Sequence, residues 1–295
     1  MGPPRIELKS IAPEAVPDNT SSPVEGNQLD EFIAFRQIEG LNERWIYHIR
    51  QFIIEYLDYT RWNIDKKKTL DYLNLIRRKH STTYYRKITY QIRKFLTFLH
   101  LDWANDIHPP SEPIYIPKRI SEKDINSTIF YFKDNQYLTQ INALIYLGIS
   151  SGMRAEELYQ LTIEDINLDN RVVHINHNPQ NGQSTKTKIS RISFFNKESQ
   201  IALNEYLTYF ENDVNLKVLF SQSHISRLFR YAPIQVKDLR KYFSQEWDRR
   251  GGPTSIKKIL MGHSLKGDVD LMHYNYQSED DLKQIYDRVM NEGIV

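Results

Sequence analysis

Apolar residues recur along this chain at two different periods, and the change between them divides it. From Leu29 the spacing is three and four. Phe32, Ile33 and Phe35 are followed by Trp45, Ile46, Ile49, Phe52, Ile53 and Tyr56. Leu70, Tyr72, Leu73 and Ile76 come next, then Tyr84, Tyr85, Ile88, Ile92, Phe95, Leu96 and Leu99. Each series lines one helix face, so residues 28–107 are expected to form a small bundle of four helices. Beyond residue 120 the helical period returns at about 121–134, 137–150 and 154–161. It then gives way to alternation in Arg171-Val172-Val173-His174-Ile175 and in Ile189-Ser190-Arg191-Ile192-Ser193-Phe194-Phe195. These read as two strands joined by a turn-rich loop, Asn178-Pro179-Gln180-Asn181-Gly182-Gln183. Helical spacing resumes at about 197–210, 222–230, 235–249, 254–262 and 279–291.

The expected fold class is mainly α with a small antiparallel β-sheet: a helical domain followed by a mixed α/β domain. Pro3, Pro4, Pro13, Pro17 and Pro23, set among polar residues, make residues 1–27 an expected flexible arm. His108-Pro109-Pro110-Ser111-Glu112-Pro113 and Pro117 lack a periodic face and mark residues 108–119 as an interdomain linker. Ser121, followed by Glu122 and Asp124, is a good helix start for the domain at 120–295.

Composition narrows the chemistry. The 295 residues are 40% hydrophobic and 26% charged, with a net charge of +2, which suits a globular protein of about two domains. There is no cysteine, so disulfide frameworks, thiolate zinc sites and cysteine nucleophiles are excluded. No apolar run is long enough to span a bilayer, so no membrane partner is expected and a cytoplasmic location fits. Charge is unevenly spread. Lys66, Lys67, Lys68, Arg77, Arg78, Lys79, Arg86, Lys87, Arg93 and Lys94 crowd two consecutive helices, with Asp71 the one acid between them and Tyr84, Tyr85 and Tyr90 interleaved. Against a near-neutral total, such a strip is the footprint of a nucleic-acid ligand.

The second domain carries an ordered series of polar residues. Ser151-Gly152-Met153-Arg154-Ala155-Glu156-Glu157-Leu158 sets an arginine at a tight turn between two apolar helices, where a planar fork of N–H donors suits a phosphate. Thr185-Lys186-Thr187-Lys188 places a lysine on the hairpin. Val236-Lys237-Asp238-Leu239-Arg240 puts two cations on one helix face. Ile259-Leu260-Met261-Gly262-His263 puts a histidine just past a helix end, and Asp270-Leu271-Met272-His273-Tyr274-Asn275-Tyr276 follows.

In order and approximate spacing this series resembles the tyrosine recombinase (phage integrase) family over about residues 114–295. That family carries Gly-x-Arg-x-x-Glu-Leu, a hairpin lysine, His-x-x-Arg, Leu-Gly-His and then a tyrosine. Lys237 stands where most members have histidine; integrases of archaeal viruses and plasmids often carry lysine there. Met-Gly-His-Ser and His-Tyr-Asn-Tyr are similar to that group too. The basic bundle would correspond to the family's core-binding domain.

The resemblance implies a site-specific recombinase in which Arg154 and Arg240 hold the non-bridging oxygens of a scissile phosphate and His263 adds a hydrogen bond. Tyr274, or its close competitor Tyr276, would attack to form a 3′-phosphotyrosyl link. Lys237 would help take the phenol proton and Lys186 would protonate the leaving 5′ oxygen. The bond energy is retained, so no nucleotide is needed, and no cofactor or metal is expected. Glu157 is read as structural, and Arg191 and Lys188 as contacts to the DNA backbone. The implied partners are double-stranded DNA attachment sites and a homotetramer across two of them. The last helix, with Leu282, Ile285, Tyr286 and Val289, would dock on a neighbour or pack on its own domain. The other readings are a type IB topoisomerase and a non-catalytic DNA-binding protein.

Overall fold

Helix α6 (Leu138–Ser151) explains the second half of the chain, because most of its length is apolar or small and buried. Ile141, Ala143, Leu144, Ile145, Leu147, Ile149, Ser150 and Ser151 are all buried, as a central helix requires. The computed structural model describes residues 22–210, 217–264 and 277–290. The chain divides into two compact units at Ile116/Pro117.

The first unit contains α1 (Gly26–Ile38), α2 (Glu43–Thr60), α3 (Lys66–Lys79) and α4 (Thr82–Phe98), with a two-residue pairing of β1 (Ser22–Pro23) and β2 (Asn63–Ile64). Asn42, Asp65 and Ser81 cap α2, α3 and α4 by accepting from main-chain N–H groups of the first turn. The core joins Phe32, Ile49, Ile53, Tyr56, Leu57, Ile88, Ile92, Phe95 and Leu96, with Phe32 edge-on to Phe95 at 5.1 Å. The expected arm is too long at its C-terminal end: Ser22 and Pro23 pair with β2, Val24 is buried and donates to the Trp62 carbonyl, and α1 starts at Gly26. Main-chain pairing there overrides the proline-rich composition.

In the second unit, among the described residues, α5 (Glu122–Tyr131), α6 and α7 (Ala155–Leu158) precede a three-stranded antiparallel sheet of β3 (Ile166–Asn167), β4 (Val172–Ile175) and β5 (Arg191–Phe194). Val172 pairs with Phe194 and Ile175 with Arg191. Then come α8 (Lys197–Phe210), α9 (Gln222–Leu228), α10 (Val236–Arg249), α11 (Thr254–Met261) and α12 (Glu279–Met290). Helix α6 packs between α8 and α10. A Cβ on Gly148 would lie 2.7 Å from Leu239 Cδ1, so the α6–α10 approach depends on glycine.

Two elements are shorter than their patterns predict. The helix expected at 154–161 ends at Leu158, because the next N–H groups turn to carbonyls three residues back, Gln160 N–H to Glu157 O (3.2 Å) and Leu161 N–H to Leu158 O (3.4 Å), instead of continuing the four-residue ladder. The strand expected from residue 189 begins at Arg191, because the Thr185 hydroxyl takes both the N–H and the carbonyl of Ile189 and Lys188 has a left-handed backbone (φ 58°). Of the two alternatives for the last helix, α12 packs on its own domain. Leu282, Tyr286, Val289 and Met290 are buried in the second core, and Tyr286 donates to the Ser150 carbonyl. No helix among the described residues is long and apolar enough to cross a membrane.

Helix α6 ends at Gly152, in the left-handed region (φ 65°), and a Cβ there would lie 2.4 Å from Phe243 Cδ1. Gly152→Ala should therefore cost about 2–5 kcal/mol, a left-handed penalty plus overpacking. Gly251 is also left-handed (φ 73°) but has nothing within 4 Å of an added Cβ, so Gly251→Ala should cost about 1–2 kcal/mol. Urea unfolding of the two variants measures the difference; equal losses would contradict the role of the Phe243 contact.

Candidate active site

The left-handed turn at Gly152 delivers Arg154 as the first residue before α7, in extended backbone. Its main-chain N–H donates to Glu157 Oε2 at 2.8 Å, and its Nη1 donates to Glu157 Oε1 at 2.8 Å. Arg191, entering from β5, donates to the same carboxylate through Nη1 (3.0 Å) and Nη2 (2.7 Å). The Glu157 side chain is 2% exposed and that of Arg191 9%. Burial alone would raise the Glu157 pKa, but bonding to Arg191 and Arg154 outweighs it and holds the carboxyl below its ordinary value of 4.5.

The same arginines close the end of α11. A helix leaves its last carbonyls without partners and carries negative potential there. Arg191 Nε donates to Leu260 O (2.9 Å) and Arg154 Nη2 to Gly262 O (2.8 Å). Gly262 ends the helix in the left-handed region, with its N–H on Ile259 O and the His263 N–H on Lys258 O. A Cβ on Gly262 would lie 2.7 Å from Arg191 Nε. The Gly-His step thus combines a helix stop with close approach of a guanidinium.

Arg240, on α10, is half-buried and donates through Nη1 to Gly152 O at 2.7 Å. Burial first, then repulsion from Arg154 and Arg191 partly offset by Glu157, lowers its pKa to about 9. The group stays charged at neutral pH; burial and then the neighbouring positive charges make that charge costly, and a bound anion would relieve both. His263 is an exposed residue whose pKa lies below its ordinary 6.5. Partial desolvation is the first cause, followed by the charges of Arg240, Arg154, Lys257 and Arg191.

Arg154, Arg240 and His263 are therefore brought together, with Glu157 as their shared counter-charge. Lys186, on the turn before β5, and Lys237, in the first turn of α10, are exposed. Among the described residues neither bonds to the arginine cluster. Tyr274 and Tyr276 lie outside the described residues. The reading of Arg191 as a contact to the DNA backbone is incorrect: the side chain is committed to Glu157 and Leu260. Periodicity did not expose this, because Glu157 and Leu260 meet Arg191 only through the fold.

In the first unit the ten basic residues separate into two groups. Lys67, Arg77, Arg78, Lys79 and Lys87 are exposed. Lys66 pairs with Asp106 at 2.9 Å, Lys68 with Asp65 at 3.4 Å and Lys94 with Glu39 at 3.2 Å. Arg86 donates to the Pro110 carbonyl and Arg93 is half-buried. Glu39, Asp65 and Asp106 lie outside the stretch that looked so one-sided, so the free basic surface is narrower than the sequence pattern.

The phage integrase family profile matches residues 118–279, which include Arg154, Lys186, Lys237, Arg240 and His263. The chain belongs to the phage integrase family. It is 28% identical over 176 residues to the tyrosine recombinase XerC of Neisseria meningitidis, a match covering 59% of this chain and 54% of that protein. The chain thus spans about half the length of those XerC relatives. With the tyrosine recombinase XerA of Pyrococcus horikoshii it shares 23% identity, over 84% of this chain and 83% of that one. Solved structures support the fold: lambda integrase(75–356), as a dimer bound to a COC′ core site, gives a TM-score of 0.65 at 11% identity, covering 86% of this chain and 98% of that one. The Tn1549 transposon integrase gives 0.61 at 14% identity, covering 89% and 99%. The family match and the arginine cluster coincide on the same segments.

Two outcomes follow from this geometry. Glu157→Gln leaves two desolvated guanidiniums without a counter-charge and should cost about 3–5 kcal/mol of stability. Because the folded pKa of Glu157 is depressed, its contribution is present above pH 4.5 and is lost as pH falls through the folded value. Urea unfolding of wild type and variant should thus differ most near neutral pH and converge in acid; a gap independent of pH would contradict it. For His263, NMR titration should give a midpoint below 6.5, moving upward when inorganic phosphate is added. The folded state takes its proton later than the unfolded chain, so this group reduces stability as pH falls below about 6.5. A midpoint above 6.5 in the free protein, or no response to phosphate, would contradict the crowded-cation account.

Proposed function

We propose that the chain is a site-specific DNA recombinase that cuts and rejoins strands through a 3′-phosphotyrosyl intermediate, serving integration or excision of a mobile element. The observation that carries the proposal is the under-neutralised group of Arg154, Arg240 and His263, held by one buried carboxylate in the segment that matches the family. A phosphodiester resists nucleophiles because of its own charge. Two guanidiniums fixed in advance stabilise the extra charge of a pentacoordinate transition state without reorganising as it forms. His263, mainly neutral at physiological pH in the absence of the anion, adds an N–H donor to the same phosphate.

Tyr274 is the proposed nucleophile. A phenol has an ordinary pKa of about 10, so attack requires removal of its proton, in which Lys237 takes part. As the new oxygen–phosphorus bond forms, the 5′ oxygen leaves and is protonated by Lys186. The reverse attack by a 5′ hydroxyl of a second strand reseals DNA without a nucleotide. The exposed Lys67, Arg77, Arg78, Lys79 and Lys87 of the first unit supply phosphate contacts that position the duplex. The proposed partners are two double-stranded DNA attachment sites and a homotetramer assembled across them, on DNA inside the cell.

The test uses nicked duplexes drawn from a randomised pool and looks for a covalent protein–DNA adduct on a denaturing gel. The adduct should form with wild type and with Tyr276→Phe and be absent with Tyr274→Phe. Arg154→Ala and Arg240→Ala should each slow it by about 10²–10³-fold, as loss of a fixed donor to developing charge does. DNA binding without any adduct across the pool would favour a binding-only protein. Relaxation of any supercoiled plasmid without recombinants would favour a topoisomerase.

A further inference from the structure

Lys186 is held by its surroundings in an unusual way. The five residues Thr185–Ile189 close on themselves: the Thr185 hydroxyl accepts from the Ile189 N–H (3.1 Å) and donates to its carbonyl (3.0 Å), while the Lys188 N–H reaches Thr185 O (3.1 Å). Thr185 is buried and Lys186 exposed. The preceding arm is anchored separately. Asn178 and Gln183 pair through both main-chain bonds, Gln183 Nε2 donates to Asp165 Oδ2 (2.8 Å), and the Ser184 N–H donates to Gln160 Oε1.

What ties the closed turn to the end of β4 is His177. Its main-chain N–H donates to Ser190 Oγ at 2.8 Å, on the far side of the turn. Its ring Nδ1 lies 3.1 Å from the main-chain nitrogen of Thr185, on the near side. One half-buried residue therefore grips both ends of the segment that presents Lys186. A main-chain N–H can only donate, so Nδ1 must accept and carries no proton; the proton of the neutral ring is on Nε2.

We propose that His177 is a positioning residue for Lys186, its imidazole clasping the turn through an acceptor bond from Thr185. The proposal rests on the reading of Lys186 as the acid for the leaving group. In that step the bond from phosphorus to the 5′ oxygen breaks, its electron pair goes to the oxygen, and a proton moves there from Lys186 Nζ, leaving a neutral amine. His177 exchanges no proton with the DNA. It restricts where the ammonium can be, and misplacement of a catalytic group by an ångström is enough to lower a rate steeply.

Two variants of the full chain separate the clasp from simple bulk. His177→Asn keeps an acceptor, Oδ1, near the position of Nδ1, whereas His177→Phe keeps the ring and removes the acceptor. Hydrogen exchange of the DNA-free protein should be faster at the Thr185 and Ile189 amides in His177→Phe, by about tenfold for loss of roughly one hydrogen bond, and near wild type in His177→Asn. Unchanged exchange in His177→Phe overturns the clasp whatever the chemistry of Lys186.

The second measurement is cleavage of a duplex captured from the randomised pool, made with either the natural 5′ oxygen or a 5′ sulfur at the scissile bond. A thiolate leaves without being protonated, so it does not need the acid. His177→Phe should slow the oxygen substrate by about 10–100-fold, a part of what a general acid contributes, and leave the sulfur substrate within about threefold of wild type. His177→Asn should resemble wild type with both. Equal slowing of both substrates, or identical behaviour of the Phe and Asn variants, overturns the proposal. Lys186→Ala serves as the control: if sulfur does not restore its rate, the reading of Lys186 as the acid is what fails.

Discussion

The second unit depends on one buried carboxylate. Glu157 accepts four N–H groups, from the Arg154 main chain, Arg154 Nη1 and both terminal nitrogens of Arg191. A buried carboxylate survives only when it is paired and its lone pairs are used. Here that requirement determines where two guanidiniums must be. Both then have donors left over for the carbonyls at the end of α11, so the carboxylate also fixes that helix terminus and the histidine after it. Four segments far apart in sequence, around residues 152–157, 191, 240 and 260–263, are brought to one point by charge and main-chain hydrogen bonding.

The arrangement leaves positive charge unbalanced. Glu157 compensates for Arg191 and part of Arg154, while Arg240 is desolvated against the Gly152 carbonyl with its pKa lowered to about 9. Such crowding costs the free protein energy and is relieved by an anion of matching shape. A phosphate's non-bridging oxygens meet the forked donors of arginine well. The strain of assembling the cluster and the affinity for a phosphodiester are thus two sides of the same electrostatics.

Much of the fold was legible because its core obeys two simple periods. The faces of α2 and α4 reappear as buried Ile49, Ile53, Ile88, Ile92 and Phe95, and the strand read at 171–175 reappears as β4, where the adjacent Val172 and Val173 are both buried. The missed features share a different cause. Ser22–Pro23 were assigned by composition yet are held by main-chain pairing. Helix α7 stops early because the N–H groups of Gln160 and Leu161 turn to carbonyls three residues back. Arg191 looked like a surface cation because its counter-charge lies 34 residues away in sequence. Lys66, Lys68 and Lys94 looked free because their acids flank the basic stretch. Of the candidate site, the order of Arg154, Arg240 and His263 and the structural role of Glu157 beside Arg154 were readable from local motifs, whereas the partners of Arg191 and the place of His177 depend on which segments meet.

The central claim is that Arg154, Arg240 and His263 form one receptor for a phosphate, preset by Glu157. A crystal structure of the chain soaked with orthovanadate, a phosphate analogue, tests it most directly. The account predicts vanadate oxygens within hydrogen-bond distance of Arg154, Arg240 and His263, with the Glu157–Arg191 contact unchanged. Vanadate bound elsewhere, or bound only after Arg154 has left Glu157, would contradict it.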